Sequence, residues 1–332
     1  MHKPLLEVAN LSKHYGATRG LWSRLPGPWS GPSSAPLIAV DDVSFAIGKG
    51  EIFSLVGESG SGKTTLGRCL LRLVEPTSGQ VRFDGTDLTT LDPGALRAAR
   101  RQVQMIFQDP YSSLNPRLTV RQTLAEVLRV HAIRPDNQIE ARIRELLHIV
   151  GLPADSIDRS PRHFSGGQRQ RIGIARALAI EPRFIVADEP VSAVDVSVQA
   201  QIMNLLLDIR NRIGLTLLVI AHDLAVVRYL SDRVGVMYLG RIVEIGPRDR
   251  MFAAPRHPYT QALLRAAPRP DPTSRRTEAA IGGEPPSPLN PPKGCHFHTR
   301  CAHVTDICRT VIPPPQKVGP DHLVRCHHHA AT

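Results

Sequence analysis

The sequence predicts an α/β fold built on a doubly wound parallel sheet. Two short, continuous apolar runs at 183–187 and 215–220 are typical of strands buried on both faces of such a sheet. A third run at 51–56 leads into a glycine-rich turn, and residues 63–74 follow it with the apolar spacing of a helix. Because strand and helix patterns alternate along the chain, we expect helices to cover both faces of the sheet.

The remaining segments divide into regular and irregular stretches. A further strand is predicted at 37–47, helical character at 119–150, and an amphipathic helix at 197–213. Residues 20–36 are rich in Pro and Gly, contain both Trp residues and lack any regular period, which indicates an inserted loop. Residues 268–292 are rich in Pro and read as an irregular linker.

Composition narrows the class of protein. With 332 residues, 42% hydrophobic and 21% charged, the chain is expected to fold as two domains, or as one large domain with an appendage. No stretch offers about 20 consecutive apolar residues, which is the length needed to cross a bilayer. The first ten residues lack the pattern of a signal peptide, so we expect the protein to stay in the cytosol. A net charge of +11 favours an anionic partner such as nucleotide, nucleic acid or a lipid surface.

The glycine-rich turn is a candidate phosphate-binding loop. Residues 57–64 read GESGSGKT, which matches the pattern G-x-x-x-x-G-K-[ST]. Its glycines let several backbone N–H groups point inward at phosphate oxygens, and the following helix adds its positive N-terminal end. Lys63 would supply a point charge to the β- and γ-phosphates, and Thr64 a hydroxyl to Mg²⁺. A kinase, a GTPase or a helicase could all carry this motif.

A pair of acidic residues narrows the reaction class. In FIVADE (184–189), a buried apolar strand delivers Asp188 at its carboxyl end, where it can reach Mg²⁺. Glu189 comes next and could polarise a water for attack on the γ-phosphate. The alternative interpretation, a helix N-cap before Pro190, is weaker because the phosphate loop is present in the same chain.

A third motif makes the family recognisable. Residues 164–168 read FSGGQ and run directly into a helical pattern, a place where a helix N-terminus can bind an anion. Together with the phosphate loop, the acidic pair, Gln108 upstream and His222 downstream, FSGGQ resembles the signature of the ATP-binding cassette (ABC) ATPases. The resemblance covers about residues 5–250 and implies an ABC-type P-loop NTPase with a RecA-like core and a helical subdomain.

The resemblance implies a role for each matching residue. Glu189 is implied to be the general base, Gln108 the Q-loop glutamine that contacts Mg²⁺ and the attacking water, and His222 the switch histidine on the γ-phosphate. Thr64, Gln108 and Asp188 are the implied Mg²⁺ ligands. The remaining residues implied to contact ATP are the adenine-stacking Tyr15, the loop residues Gly57, Glu58, Ser59, Gly60, Ser61, Gly62, Lys63, Thr64 and Thr65, the signature Ser165, Gly166, Gly167 and Gln168, and the D-loop Asp195.

The family geometry also implies a partner. In ABC ATPases two cassettes close head to tail, and the signature of one covers the ATP held by the phosphate loop of the other. One chain with one cassette cannot complete such a site, so a second ATPase chain is implied.

Several segments resemble a narrower group. FQDPYSSLNPR (107–117), ADEPVSAVDVSVQAQIMNLL (187–206), VMYLGRIVEIG (236–246) and HPYT (257–260) resemble the ATP-binding subunits of dipeptide and oligopeptide importers, and the first of these resembles the F-type subunit. This implies ATP-driven dimer closure that energises peptide uptake. The alternatives are a nickel or other small-solute importer and, from a different class, an ABC ATPase that acts on nucleic acid.

The resemblance implies a set of partners and a location. The partners are a second ATPase of the D-type, which would make a heterodimer, two transmembrane permease subunits, and a periplasmic or extracellular substrate-binding protein, with no nucleic acid expected. The protein would lie peripherally on the cytoplasmic face of the inner membrane. On this interpretation residues 1–250 form the nucleotide-binding domain, with its helical subdomain at about 109–180, and residues 251–332 form a Pro-rich linker and C-terminal extension.

Four cysteines in the last 38 residues need a separate explanation. Their spacing is C-x₅-C-x₆-C-x₁₇-C, and a cytosolic protein should not hold them as structural disulfides. Four thiolates suit a zinc ion or an iron–sulfur cluster, and a nearby histidine could replace one of them. Similar tails in peptide-importer ATPases imply a [4Fe–4S] cluster; Zn²⁺ and free thiols remain the alternatives. The ligands would be Cys295, Cys301, Cys308 and Cys326.

Overall fold

The computed structural model of the chain describes residues 3–16, 36–111, 113–192, 194–266 and 282–328. The predicted inserted loop at 20–36 lies outside these ranges except for Pro36. The predicted linker at 268–292 is described only from residue 282 onward, where it has neither helix nor strand.

An eight-stranded sheet forms the centre of the molecule. Its five strands β9, β3, β8, β7 and β6 pair in parallel, and three further strands pair antiparallel beyond β9. The apolar runs predicted as buried strands are β3, β7 and β8, and every residue of these strands is buried. In spatial order the strands are β11 (Gln316–Gly319), β12 (His322–Val324), β10 (Arg241–Pro247), β9 (Arg233–Tyr238), β3 (Ile52–Val56), β8 (Thr216–Ala221), β7 (Phe184–Asp188) and β6 (Val103–Ile106).

A second, antiparallel sheet packs beside the first. It contains the strand predicted at 37–47, in the order β2, β1, β4, β5. The α/β expectation did not include this separate sheet, because its strands alternate irregularly and β1 contains register shifts. The strands are β1 (Leu6–Tyr15), β2 (Leu37–Ile47), β4 (Ser78–Phe83) and β5 (Thr86–Asp87).

Helices cover the central sheet, and two of them differ from the predicted lengths. The helix predicted over 63–74 ends at Leu70, where the chain turns through Arg72 in a left-handed conformation (φ 51°). The predicted 119–150 segment is two helices, because Pro135 disfavours a helical conformation in the residue before it. The described helices are α1 (Lys63–Leu70), α2 (Pro93–Ala99), α3 (Val120–Val130), α4 (Asp136–Ile149), α5 (Gly166–Leu178), α6 (Val196–Ile213), α7 (Leu224–Leu230), α8 (Arg248–Ala253), α9 (Pro258–Ala266) and α10 (Asp306–Thr310).

The hydrophobic core has two parts, one on each face of the central sheet. Along β8, alternate residues point to opposite faces: Leu217 and Val219 pack with the helices α3 to α6, whereas Leu218 and Ile220 pack with α1 and the antiparallel sheet. Helix α1 is therefore held between the two sheets. None of the helices in the described ranges combines the length and apolarity needed to cross a membrane.

The last two strands belong to the central sheet. Strand β12 pairs with β10 through Glu244 opposite Val324 and Ile245 opposite Leu323, and β11 pairs with β12. The sequence did not predict these strands, because three and four residues are too few to show a period. We use the name C-terminal extension for residues 251–332, as predicted from the sequence, and its strands continue the sheet that carries the phosphate loop.

Candidate functional site

The carboxyl ends of four parallel strands converge on one edge of the central sheet. The phosphate loop follows β3, Glu189 follows β7, His222 follows β8, and Gln108 lies two residues beyond the end of β6. In an open α/β sheet this edge is where ligands bind, because the chain leaves the strands there through loops and helix N-termini. Four segments that are distant in the sequence are thus brought together.

The phosphate loop requires glycine because other backbone passes close to it. A side chain at Gly62 would meet the carbonyl oxygen of Ala39 at 2.0 Å, and its φ of +102° is one that other residues rarely adopt. Helix α1 begins at the next residue. The Lys63 ammonium donates to the carbonyl oxygens of Gly57 and Glu58 (2.8 Å each) and to Ser61 Oγ (3.2 Å), while Ser59 and Gly60 lie exposed at the tip. The loop therefore wraps around its own lysine.

Thr64 and Asp188 are the candidate magnesium ligands that the structure places in contact. Thr64 Oγ1 donates to Asp188 Oδ1 at 2.9 Å, and Asp188 is 1% exposed. A hydroxyl and a carboxylate oxygen next to a phosphate loop form a suitable donor set for Mg²⁺, which is commonly held by one or two protein oxygens together with substrate phosphates. These two residues, predicted separately from the sequence, are in direct contact.

Glu189 is the point where the other predicted catalytic side chains meet. Its Oε2 atom accepts a hydrogen bond from Gln108 Nε2 (2.8 Å) and lies 3.3 Å from His222 Nδ1. The backbone of Glu189 is left-handed (φ 45°), a conformation that for a non-glycine residue is often found at functional sites. Its N–H donates to the carbonyl oxygen of Ile220 at the end of β8, which fixes this conformation.

Burial shifts the protonation of two of these groups. It lowers the pKa of Lys63, although the nearby carboxylates of Glu189, Asp188 and Glu58 favour the charged ammonium. It raises the pKa of Asp188, and the hydrogen bond from Thr64 opposes that rise. The site thus holds positive and negative side chains close together where water is partly excluded. A divalent cation and phosphates would interact strongly with these side chains there.

The predicted signature residues lie apart from this group. Ser165 caps helix α5 in a capping box with Gln168, and the hydrogen bonds of these two residues stay within that turn. A side chain at Gly167 would meet Val198 Cγ1 of α6 at 2.2 Å, so Gly167 also allows two helices to pack closely. Gly166 begins the helix. The signature is thus presented as an open helix N-terminus and not as part of the Lys63 group.

The three remaining predicted residues, Tyr15, Asp195 and Thr65, belong to three different elements. Tyr15 is the last residue of β1 and is 38% exposed. The Lys13 ammonium lies 4.8 Å from the centre of its ring. Asp195 is the N-cap of α6, beside the highly exposed Val196. Thr65 is half-buried in the first turn of α1.

The four tail cysteines lie near one another in partly apolar surroundings. Cys295 and Cys301 pack against the hydrophobic core, whereas Cys308 Sγ lies 3.6 Å from His328 Nε2. Burial raises the pKa of Cys295 to about 11 and also raises the pKa of Cys301 and Cys326, and in each case negative charge on other tail thiols would add to the rise. In the part of the chain that the structure describes, no three His, Cys, Asp or Glu side chains are arranged as a site for a metal ion. The fifth cysteine, Cys69, is 1% exposed in the core, as its helical position predicted.

Two contacts to the phosphate loop come from the C-terminal extension. Tyr259 Oη accepts the N–H of Glu58 at 2.9 Å, and the Arg300 guanidinium pairs with the Glu58 carboxylate. Sequence reasoning missed both residues. Tyr259 lies in the quoted HPYT segment and could have been singled out, whereas no pattern around Arg300 connects it with residue 58.

The fold and the phosphate loop at this edge define a P-loop NTPase. A model of the family described as "ABC transporter" matches residues 40–192, and a model described as "Oligopeptide/dipeptide transporter, C-terminal region" matches residues 243–308. Two features described above fall in these matches: the acidic pair in the first and the Tyr259 segment in the second.

Full-length relatives give the same result. A Brucella ovis protein named as a peptide import ATP-binding protein is 53% identical over 323 residues, which are 97% of each chain. The oligopeptide transport ATP-binding protein AppF of Bacillus subtilis is 47% identical over 326 residues, again 97% of each chain. The chain therefore belongs to the ATP-binding proteins of the ABC transporter family.

Solved structures share the fold. The ATP-binding cassette MJ0796, in a dimeric post-hydrolysis state bound to ADP and Pi, matches with a TM-score of 0.62 and 29% identity over 73% of this chain and 98% of its own. The protein cbiO1 of Clostridium perfringens, part of the ABC transporter complex cbiONQ, matches with a TM-score of 0.64 and 26% identity over 76% of this chain and 92% of its own. The predicted ABC-type cassette is thus confirmed, and the chain is an ABC-type ATPase.

Proposed function

We propose that this chain is the ATP-hydrolysing subunit of a bacterial ABC importer that takes up peptides of the dipeptide and oligopeptide class. The observation that supports hydrolysis is the shared contact of Glu189 Oε2 with Gln108 and His222, beside the Thr64–Asp188 pair. The peptide class is supported by the relatives named for peptide import and oligopeptide transport and by the transporter-type C-terminal region at 243–308.

The residues of the site divide the work of phosphoryl transfer to water. Lys63 and the loop amides would bind the β- and γ-phosphates, and Thr64, Asp188 and Gln108 would hold Mg²⁺, which neutralises phosphate charge when bound. Glu189 would accept the proton of the attacking water, and Gln108 and His222 would keep its carboxylate aimed at that water. Tyr15, which is 38% exposed and has Lys13 Nζ beside its ring, would stack on adenine.

A second ATPase chain would complete the site. Because Ser165 and Gln168 bond only within their own turn, the N-terminus of α5 is open to an anion brought by another cassette. We propose a D-type paralogue as this partner, with Asp195 at the interface between the two chains. Closure of the pair would be a ligand-driven shift between two conformations.

The four tail cysteines are proposed to hold a [4Fe–4S] cluster, with Zn²⁺ as the alternative. The proposal is supported by the closeness of the four thiols, which are near enough to influence one another's pKa. The thiolates of a polynuclear cluster bind different irons and need not converge on one point. When bound, such a cluster would link Cys308 in α10 with Cys326, which lies two residues beyond β12. The chain's own part is to supply Cys295, Cys301, Cys308 and Cys326.

The remaining partners would be two membrane permeases and a substrate-binding protein, with the ATPase lying peripherally on the cytoplasmic face of the inner membrane. The segment after Gln108 is suited to the permease contact, because Tyr111 is 56% exposed and carries the Arg169 guanidinium 4.1 Å from its ring centre. This segment joins the catalytic edge to the helices α3 to α5.

Co-purification and uptake test the proposal. The tagged chain, expressed with the four other proposed subunits and purified in detergent, should retain two multi-spanning permeases and a second ATPase. In proteoliposomes it should drive accumulation of a labelled peptide that needs ATP and stops in Glu189→Gln. Recovery of RNA or ribosomal proteins in place of permeases, or ATP-dependent uptake of nickel and not of peptides, would refute it.

A further inference from the structure

The C-terminal extension grips one residue of the phosphate loop. The Arg300 guanidinium binds both carboxylate oxygens of Glu58, at 2.7 Å through Nη1 and 3.1 Å through Nη2. The backbone N–H of Glu58 donates to Tyr259 Oη at 2.9 Å, and its carbonyl oxygen accepts from Lys63 Nζ at 2.8 Å. Glu58 is thus held at its side chain and N–H by the extension, and at its carbonyl by the phosphate-binding lysine.

The groups that hold Glu58 are themselves fixed. Tyr238, Tyr259 and Phe297 are each at most 3% exposed and pack ring against ring, with centres 4.6 to 5.3 Å apart. The Arg300 side chain is 5% exposed, lies 5.9 Å from the Tyr238 ring centre, and donates through Nε to the carbonyl oxygen of Gly282 at 3.0 Å. A planar guanidinium held in this way can form a two-pronged pair with little further loss of side-chain freedom.

Charge gives the pair a direct effect on nucleotide binding. A carboxylate at residue 58 lies in the loop that must receive a polyphosphate, and its field would disfavour that anion. The Arg300 cation neutralises this field and at the same time fixes the loop backbone around Lys63. Because the ammonium donates to the Glu58 carbonyl, a shift of Glu58 would move the phosphate-binding group as well.

We infer that Arg300 is a positioning residue for ATP binding: by pairing with Glu58, it makes the C-terminal extension a structural part of the phosphate loop of the same chain. This inference rests on the ATPase function and adds to it a second segment of the chain on which the ATP site depends. Within the described residues, the contacts that carry this inference both reach the loop at Glu58.

The inference predicts a specific pattern of nucleotide affinity. In the purified full-length chain, Arg300→Gln should weaken binding of a fluorescent ATP analogue on the order of tenfold, since a charge-assisted bidentate pair is lost and an uncompensated carboxylate remains. KM for ATP should rise by a similar factor while kcat changes little. Arg300→Lys keeps the positive charge but not the two-pronged guanidinium, so its KM for ATP should lie between that of the unaltered chain and that of Arg300→Gln.

A double variant separates this role from simple support of the fold. Glu58→Gln removes the carboxylate, so Glu58→Gln with Arg300→Gln should bind the analogue within about twofold of the Glu58→Gln single variant. Arg325→Ala is the matched control, because Arg325 also precedes a tail cysteine and pairs the extension with the cassette, at Asp42 (3.1 Å), but away from the loop. It should leave KM unchanged.

Three results would overturn the inference: unchanged nucleotide affinity in Arg300→Gln, the same loss of affinity whether or not residue 58 is charged, or an equal loss in Arg325→Ala. If Arg300→Gln does not fold, the same comparison can be made with Arg300→Lys. This variant should bind the ATP analogue more weakly than the unaltered chain does, and the loss should disappear when Glu58→Gln is added. Absence of ATPase activity in the unaltered chain would instead count against the proposed function, so the two failures are distinguishable.

Discussion

The sheet edge that carries Lys63, Asp188 and Glu189 and the four tail cysteines of the extension are organised in different ways. At the edge, the functional side chains already hydrogen-bond one another: Thr64 with Asp188, and Gln108 with Glu189. In the extension, the four thiols lie near one another but are not arranged as a metal-ion site within the described residues. The difference is one of chemistry, because oxygen and nitrogen groups can satisfy one another, whereas thiols form only weak hydrogen bonds.

This comparison indicates which site the polypeptide can shape alone. Parallel strands end at one edge whatever is bound there, so the fold itself gathers the ATP-site residues. Cys295 and Cys301 lie on either side of a three-residue 3-10 helix, Cys308 lies in the five-residue α10, and Cys326 lies two residues beyond the three-residue β12. None of these short segments imposes a common direction on its side chains. We therefore expect the ATP site to be sensitive to single side chains, and the extension to depend on what its thiols bind.

The largest expected effect is at Glu189. Glu189→Gln keeps the shape of the side chain but removes the base, so kcat should fall on the order of a thousandfold while ATP affinity stays within a few-fold of the original. Single-turnover hydrolysis and equilibrium nucleotide binding measure the two quantities. Glu181→Gln is a suitable control, since Glu181 pairs with Arg134 on the surface and should not change either.

The Glu189 prediction is contradicted by turnover near that of the unaltered chain, or by a parallel loss of ATP binding. In the second case Glu189 would be part of the binding site and not only the base. Either result would weaken the contrast between a site organised by the fold and one organised by its ligand.

The next prediction concerns the thiols. Cys308→Ser with Cys326→Ser should reduce iron and sulfide in anaerobically purified protein to background, because two of four proposed ligands are lost. Cys69→Ala, which changes a cysteine packed in the core, should leave both contents unchanged. Elemental analysis distinguishes the outcomes: zinc in place of iron selects the alternative metal, and neither metal in the unaltered protein rejects a bound group.

The motif residues could be singled out from the sequence because each motif sits at a strand end or a helix start, and the structure places Gln108 and His222 beside Glu189. FIVADE and VIAHD each contain a buried strand or its end, and GESGSGKT directly follows β3. Lys63, Asp188 and His222 therefore all lie at or just beyond the carboxyl ends of parallel strands. The two-helix break at Pro135 and the antiparallel sheet were missed, since neither produces a clear period.

The contact between Arg300 and Glu58 could not have been predicted in this way. The two residues are 242 positions apart, and they meet because β12 adds to the sheet and an aromatic group packs beneath the loop. Such a contact depends on tertiary packing and leaves no local pattern. The contact between Glu244, which is buried in β10, and His322 also leaves no local pattern in the sequence. The Glu244 carboxylate lies 2.8 Å from His322 Nε2.

The smallest expected effect tests whether the extension and the cassette share one stable core. His257 is 1% exposed, its N–H donates to Glu244 Oε2 at 2.9 Å, and its Nδ1 accepts the N–H of Tyr259 at 3.0 Å. Burial lowers the pKa of His257 to about 4, although the Glu244 carboxylate opposes this. Its ring is therefore neutral in the folded protein at pH values where an unfolded chain would protonate it.

The sign of the pH effect follows from that lowered pKa. Below about pH 6.5 His257 becomes protonated in the unfolded chain, but in the folded chain it stays neutral down to about pH 4. The free energy of unfolding therefore keeps its full value above pH 6.5 and falls as the pH drops from 6.5 to 4. At pH 5 the loss should be about 2 kcal/mol. Denaturant unfolding of His257→Asn should show a correspondingly flatter decline between pH 7 and 5, whereas the exposed His148→Asn should decline like the original chain. Equal slopes in all three proteins would mean that residue 257 is not buried in the unit that unfolds, and that the extension opens separately from the cassette.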